Sequence, residues 1–299
     1  MDLNYFAKRI QSVASGSNRI CVRDGTTLQL RQYGRGDVSC LLVHGFAEGS
    51  YVWTPCMRSL GNTFPSIAVD LRGHGDSDWD KLHNYNVQAH TADVNDLLNL
   101  MGNQRRILIG HSMGAHILMR VTMLRPDLVA ALVLVDFGPH LSAQAGQRVR
   151  ELLKDSLRHY TSVAEYAQRL MHLRPLIPPE LVEYVALSSL RPIDGGFQLK
   201  VDPALLDSAE ALGTADESQL WQIMRDIACP VLIVRGAGSA MLTRQVAERM
   251  MKTLRHGRLA TVPLAGHGVM MDNPREFNEI VGKFCAEHMM KSNSLVLYR

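Results

Sequence analysis

The segment Arg106–Arg120 places a sharp turn between an apolar strand pattern and a helical pattern. Its first four residues favour a buried strand, and its last six favour a helix. A chain that reverses within a few residues crowds its backbone, and Gly110 and Gly114 remove the side chains that would collide there. Ser112, at the apex, then exposes its hydroxyl beside the free N–H groups of a helix N-terminus. The segment therefore predicts a nucleophilic serine at position 112.

Short apolar runs alternate with helical patterns along most of the chain. The runs are rich in Val, Ile and Leu with little alternation, which is typical of strands covered on both faces. This order predicts an α/β fold with a mostly parallel, doubly wound central sheet. The predicted strands are Arg19–Val22, Thr27–Tyr33, Ser39–His44, Ser66–Asp70, Arg106–Gly110, Ala131–Asp136, Pro230–Arg235 and Arg258–Pro263. The predicted helices are Trp53–Gly61, Asn86–Met101, Met113–Arg125, Thr243–Leu254 and Pro274–Met290.

The alternation breaks once, between the sixth and the seventh predicted strands. About 90 residues separate Asp136 from Pro230, and they show helical apolar spacing without a convincing central strand. Such a block predicts a helical cap, or lid, over the carboxyl edge of the sheet, where open α/β sheets bind ligands. We predict a core domain of residues 1–138 and 215–299, and a helical cap of residues 139–214 inserted after the sixth strand.

Three further motifs accompany the turn at Ser112. They are Leu41–Phe46, which ends in the residues His-Gly-Phe, the glycine-containing loop Asp70–Ser77, and Ala265–His267. Together the four motifs resemble the α/β-hydrolase fold family, in particular serine hydrolases with a helical cap. The resemblance covers nearly the whole chain, and it makes the turn at Ser112 the nucleophile elbow of such an enzyme.

The resemblance implies roles for three residues besides the serine. The backbone N–H groups of Phe46 and Met113 correspond to the two donors of the oxyanion hole. His267 lies between the last predicted strand and the final helix, where the family carries its general base. A serine hydroxyl needs such a base before it can attack at neutral pH.

The acid of the catalytic triad is where this sequence departs from the family pattern. Relatives commonly carry an aspartate in the loop after the seventh strand, whereas this chain has Ala240 and no carboxylate between Ile227 and Ala247. Three explanations stay open. In the first, Asp136, at the end of the sixth strand, supplies the acid. In the second, an aspartate at position 240 has been deliberately replaced by alanine. In the third, the site works as a weakened dyad or does no chemistry.

Two other carboxylates lie near the relevant loops but fit the acid less well. Asp226 precedes the seventh strand and is therefore at the wrong edge of the sheet. Asp272 is followed by Asn-Pro, so we interpret it as the residue that opens the last helix.

The residue set predicts acyl transfer, most simply hydrolysis of a carboxylic ester, thioester or lactone through an acyl-enzyme on Ser112. This chemistry needs neither a metal nor an organic cofactor. One alternative is a carbon–carbon bond hydrolase of the diketone type, and another is a weakened, ligand-binding α/β hydrolase, which Ala240 favours. Apolar cap residues predict an apolar small-molecule substrate, such as a medium-chain acyl ester, a lactone or an aromatic ester. The alternative is that most of them form the cap's own core. They are Leu152, Leu153, Tyr160, Leu170, Met171, Leu173, Leu176, Tyr184 and Phe197.

The bulk composition argues against several other classes of protein. The net charge of +3, from 32 basic and 29 acidic residues, does not indicate a nucleic-acid partner. The sequence has neither the apolar core of a signal peptide nor an apolar run of about 20 residues for a membrane span. Five scattered cysteines without CxxC spacing favour free thiols in a reducing compartment. We expect a cytoplasmic protein, and the sequence leaves its oligomeric state open.

Overall fold

A single eight-stranded sheet organises the part of the chain that the computed structural model describes, residues 17–140, 143–207 and 217–294. Ten strands occur in these ranges: β1 Ser17–Cys21, β2 Thr27–Tyr33, β3 Cys40–Val43, β4 Ser66–Val69, β5 Arg106–His111, β6 Val129–Val135, β7 Leu190–Ile193, β8 Gly196–Leu199, β9 Val231–Gly236 and β10 Gly257–Val262. The sheet has the order β1-β2-β4-β3-β5-β6-β9-β10, and β7 and β8 form a separate hairpin.

The pairing within the sheet is mostly parallel. From β4 across to β10, all neighbouring strands run parallel, whereas β2 pairs antiparallel with both β1 and β4. Every residue of β3, β4, β5, β6 and β9 is buried, as expected when helices cover both faces. The predicted α/β class is therefore confirmed. All eight predicted strands are present within two residues of their predicted bounds, and the seventh of them is β9.

Helices cover both faces of the sheet in the described ranges. Alternate residues of β3 show this division, because Leu41 and Val43 face one core cluster while Cys40 and Leu42 face the other. No helix in these ranges is both long enough and apolar enough to cross a membrane. A 3-10 turn, Ser50–Trp53, precedes the first of the helices, which are α1 Thr54–Leu60, α2 Val87–Leu100, α3 Met113–Leu124, α4 Ala143–Ser156, α5 Val163–Leu173, α6 Pro179–Ser189, α7 Glu217–Asp226, α8 Arg244–Thr253, α9 Val269–Asp272 and α10 Pro274–Ser294.

The segment between β6 and β9 contributes no strand to the described central sheet. It contains α4, α5 and α6, the β7–β8 hairpin and α7. The sequence pattern does not predict the hairpin, because Pro192 and the pair Gly195-Gly196 suggest breaks between helices. In the structure Gly195 has a φ of +75°, which allows the tight turn between the two strands. The predicted cap boundary at residue 214 lies outside the described residues, and the division into domains stays a prediction.

The start of the last helix differs from its prediction. The Asn273 side chain accepts a hydrogen bond from the Glu276 N–H at 3.3 Å, which is the geometry of an N-cap. Asp272 instead ends the short helix α9, and its Oδ2 accepts a hydrogen bond from the Gly266 N–H at 2.9 Å. The interpretation of Asp272 as the opening residue is therefore wrong, because α9 intervenes between the His267 loop and α10.

Candidate active site

The turn between β5 and α3 holds Ser112 in an unusual backbone conformation. Its φ is +51° and its ψ is −116°, a combination that costs about 1–3 kcal/mol for a residue with a side chain. The Ser112 N–H donates to the Val135 carbonyl at 2.9 Å, which ties the turn to the end of β6. A Cβ on Gly114 would collide with the carbonyl oxygen of Val43, and one on Gly110 would lie 2.6 Å from the Ala115 nitrogen. Both glycines are therefore needed for the close approach that the sequence predicts.

Hydrogen-bonding groups around this turn are left without partners. The Ser112 hydroxyl forms no hydrogen bond with any residue in the described part of the chain. The N–H of Met113, the first residue of α3, and the N–H of Phe46, in the loop after β3, likewise donate to no group there. Because β3 and β5 are parallel neighbours, both loops emerge at the same edge of the sheet. Unpaired N–H groups at a helix start favour negative charge.

His267 and Asp136 meet at the same sheet edge. His267 lies in the loop between β10 and α9, and Asp136 directly follows β6 with a φ of +46°. Nδ1 of His267 and Oδ2 of Asp136 are 2.8 Å apart. The Asp136 side chain is fully buried, while that of His267 is 35% exposed. An acceptor at Nδ1 fixes the proton on that nitrogen and leaves Nε2 as the basic atom of the ring.

The loop after β9 supplies hydrogen-bond donors to Asp136 and no carboxylate. The Gly236 N–H donates to Asp136 Oδ1 at 3.1 Å, and the Ser239 hydroxyl donates to Oδ2. Ala240, where relatives commonly carry the acid, is exposed. Asp226 is also exposed, at the end of α7. Of the carboxylates that the sequence singles out, Asp136 is thus the one in contact with the His267 ring.

A buried ion pair, which no local sequence pattern predicts, lies beside His267. Nδ1 of His111 donates to Glu48 Oε2 at 2.8 Å, and Nε2 of His111 donates to the His267 carbonyl at 2.9 Å. A carboxylate and a carbonyl are both acceptors here, so both ring nitrogens of His111 carry protons and the ring is cationic. Glu48 also accepts from the Gly45 N–H at 3.0 Å. The charged pair therefore anchors the backbone of His267 to the elbow.

Burial and one neighbouring positive charge favour the neutral form of the His267 ring. Burial is the largest effect, and together with the charge of His111 it lowers the pKa of His267 below its ordinary value. The hydrogen bond and charge of Asp136 act in the opposite direction without reversing the shift. A neutral imidazole with a fixed tautomer is the form that accepts a proton at Nε2.

A cavity of about 410 Å³ borders the exposed edge of His267. Its wall includes Phe46 and apolar side chains of α4, α5 and the loop that follows α5. Of the apolar residues named from the sequence, five line this cavity: Leu152, Leu153, Leu170, Leu173 and Leu176. The others do not line it, and Tyr160 instead packs into the inserted segment's own core with Tyr166 and Leu199.

The α/β hydrolase family model matches residues 40–280, a range that includes the Ser112 turn, Asp136 and His267. The chain belongs to the α/β hydrolase family. The predicted resemblance is therefore confirmed.

This α/β hydrolase is similar to several named proteins. It is 30% identical over 249 residues to 2-(acetamidomethylene)succinate hydrolase of Mesorhizobium japonicum, covering 83% of this chain and 87% of that protein. It is 27% identical over 266 residues to an esterase of Mycobacterium tuberculosis, covering 87% and 86% of the two chains. A crystal structure of E-2-(acetamidomethylene)succinate hydrolase matches with a TM-score of 0.82 at 28% identity, covering 90% of this chain and 98% of that one. The protein is an enzyme of the hydrolase class.

Proposed function

We propose that this α/β hydrolase cleaves a carboxylic ester, thioester or lactone through an acyl-enzyme on Ser112. The observation that carries the proposal is the 2.8 Å contact between Asp136 Oδ2 and His267 Nδ1, at the sheet edge that also holds the strained Ser112 turn. In this proposal Asp136 is the acid of the triad. It orients the imidazole and stabilises the imidazolium that forms when His267 takes a proton.

Acylation begins when Nε2 of His267 removes the proton of the Ser112 hydroxyl. The serine oxygen attacks the substrate carbonyl, whose developing oxyanion accepts hydrogen bonds from the N–H groups of Phe46 and Met113. Both N–H groups lack other partners in the described ranges, so they are free to take this role. Removal of one such donor typically costs about 3 kcal/mol of transition-state stabilisation. His267 then donates its proton to the departing alcohol or thiol.

Deacylation repeats the same chemistry with water. His267 removes a proton from a water molecule, which attacks the acyl-enzyme carbonyl while the same two N–H groups hold the oxyanion. The tetrahedral intermediate collapses, Ser112 regains its proton from His267, and the carboxylic acid leaves. The unbonded Ser112 hydroxyl does not conflict with this mechanism, because catalytic hydrogen bonds in unliganded enzymes often tighten only when substrate binds.

The cavity beside His267 supports a mainly apolar acyl substrate. Five leucines from the segment between β6 and β9 line its wall. We assign residues 139–214 as a helical cap over the site, since the apolar wall and the edge of His267 belong to the same cavity. Burial of an apolar acyl chain there contributes about 0.8 kcal/mol per methylene group.

The decisive experiment is labelling with a neutral fluorophosphonate probe, which reacts with activated serines. We expect rapid labelling of the wild-type enzyme and none of Ser112→Ala, whereas the control Ser59→Ala, which changes an exposed serine of α1, labels normally. Slow or absent labelling of the wild type would reject the proposal in favour of a ligand-binding protein. A labelled enzyme that cleaves a vinylogous diketone but not simple esters would instead be a carbon–carbon bond hydrolase.

A further inference from the structure

An arginine from the proposed cap reaches the loop that carries His267. Arg174 follows α5 directly, and its guanidinium lines the same cavity as His267 and Gly268. A Cβ on Gly268 would overlap the Arg174 guanidinium, so any side chain at this position would force the guanidinium to move. The positive charge therefore lies next to the residue that immediately follows the proposed base.

The partners of this guanidinium hold it loosely. Its distances to Glu48 Oε1 and to Asp272 Oδ1 are both 3.7 Å, whereas well-formed arginine–carboxylate hydrogen bonds measure about 2.7–2.9 Å. Within the described ranges the guanidinium makes one hydrogen bond, to the Gly268 carbonyl at 3.5 Å. Arginine carries five N–H donors in a rigid fork, so most of its hydrogen-bonding capacity is unused here.

The nearby carboxylates have closer partners than Arg174. Oε2 of Glu48 is bound by the cationic His111 ring and the Gly45 N–H. Oδ2 of Asp272 accepts from the Gly266 N–H, and burial, only partly opposed by the charge of Arg174, raises the pKa of Asp272. With two carboxylates facing two cations, the cluster around Arg174 has no excess of negative charge. A largely apolar cavity thus contains a guanidinium whose two ion pairs are long and whose remaining N–H groups can bind a further anion.

We propose that Arg174 binds a carboxylate of the substrate, so that the preferred substrates carry a second, free carboxylate a few atoms from the scissile carbonyl. This inference rests on the proposed function, because the ligand is the substrate of the Ser112–His267 site. A planar guanidinium matches a carboxylate in a bidentate arrangement, which supplies both affinity and orientation. Arg174 contacts Gly268, the residue next to His267, so the bound carboxylate must lie close to the scissile carbonyl. This short separation favours half-esters of short dicarboxylic acids.

A matched pair of substrates tests this role. Monoethyl succinate carries the carboxylate, and the ethyl ester of isocaproic acid replaces it by an isopropyl group of similar shape. We expect the wild-type enzyme to prefer monoethyl succinate in kcat/KM, measured by proton release. In Arg174→Gln, kcat/KM for monoethyl succinate should fall about 10- to 100-fold, as for loss of a charge-assisted hydrogen bond, while the neutral ester changes little. Arg174→Lys should retain part of the preference.

The control variant is Arg148→Gln, which removes an exposed guanidinium from α4 that does not line the cavity. It should leave both esters unaffected. If Arg174 only ties the cap to the His267 loop, Arg174→Gln will instead lower kcat/KM for both esters equally. That result, or a wild-type preference for the neutral ester, would overturn the inference.

Fluorophosphonate labelling separates this inference from the proposed function. Labelling of both wild type and Arg174→Gln, without a preference for the charged ester, would overturn the carboxylate subsite and leave the serine mechanism intact. If Ser112 is not labelled at all, the serine mechanism fails, and calorimetric titration with succinate then tests the subsite directly. Binding that weakens at least tenfold in Arg174→Gln supports the subsite, and equal or absent binding rejects it.

Discussion

The imidazole rings of His111 and His267 lie with their centroids 4.6 Å apart, yet their pKa values move in opposite directions. Burial alone would lower the pKa of His111, but the charge and hydrogen bond of Glu48 raise it above its ordinary value. The resulting positive charge adds to burial in lowering the pKa of His267. Burial and a protonated structural histidine thus together favour the neutral form of the proposed base.

Titration by NMR checks this relationship. In Ser112→Ala, which prevents turnover, we expect His267 to titrate below its ordinary pKa of 6.5 and His111 above that value. Asp136, Glu48 and Asp272 are the carboxylates that influence one or both of these rings. Because only neutral His267 accepts a proton, kcat/KM of the wild type should rise with pH and reach half its plateau below pH 6.5. A His267 pKa above 6.5 would contradict the proposal that burial and the charge of His111 keep this ring neutral.

Replacing Glu48 by glutamine tests the anchor of the His267 backbone. The variant keeps the size of the side chain but leaves the buried His111 without its anionic partner, and breaking such a pair typically costs about 3–5 kcal/mol. We expect a loss of this size in the free energy of unfolding in urea, together with a lower kcat. The pKa of His111 should also fall, which a purely local packing defect would not cause.

Glu151→Gln is the matched control for that experiment. Glu151 is exposed on α4 and forms an ion pair at 3.8 Å with Arg148, a contact of the kind that contributes less than about 1 kcal/mol. Its stability and kcat should match the wild type. If Glu48→Gln behaves in the same way as this control, the His111 ion pair does not hold the His267 loop.

Asp136→Asn tests the acid of the proposed triad. The amide can donate to Nδ1 of His267 and so favours the wrong tautomer, a change that costs about 10⁴-fold in kcat in serine proteases. We expect a loss of that order in ester hydrolysis and an equally slowed reaction of Ser112 with fluorophosphonate. Asp226→Asn, which changes an exposed carboxylate at the end of α7, should have no effect. Near-normal turnover of Asp136→Asn would remove Asp136 from the triad.

Local patterns in the sequence predict much of the sheet and the elbow. The buried strands are recognisable because β3, β5, β6 and β9 are covered on both faces and therefore apolar throughout. The glycines around Ser112 are recognisable because the backbone of the turn approaches β3 and α3 too closely for side chains. His267 is identified by its position after the last strand, which the family resemblance supplies. In each case the information lies within a few adjacent residues.

Other parts of the site depend on contacts between distant segments and have no local pattern. Glu48 meets His111 across 63 positions in the sequence, and Arg174 reaches Gly268 across 94. Neither Glu48 nor Arg174 belongs to a motif, so only the folded chain reveals their charge partners. The prediction that Asp272 opens the last helix is wrong for the same reason. Its carboxylate accepts a hydrogen bond from the Gly266 N–H instead of capping the next helix.

Ala240→Asp tests whether the family's usual acid position has been lost from this chain. The Ser239 hydroxyl and the Gly236 N–H already donate to Asp136, so the loop after β9 is arranged around the carboxylate that follows β6. Position 240 itself is exposed, and a carboxylate there would be largely solvated. We expect ester hydrolysis by Ala240→Asp to stay within about twofold of the wild type, as for other surface changes. The double variant Asp136→Asn/Ala240→Asp should be as slow as Asp136→Asn alone. A large rise in the single variant, or rescue in the double variant, would mean that position 240 is the original site of the acid, because only a carboxylate that reaches Nδ1 of His267 can restore the tautomer.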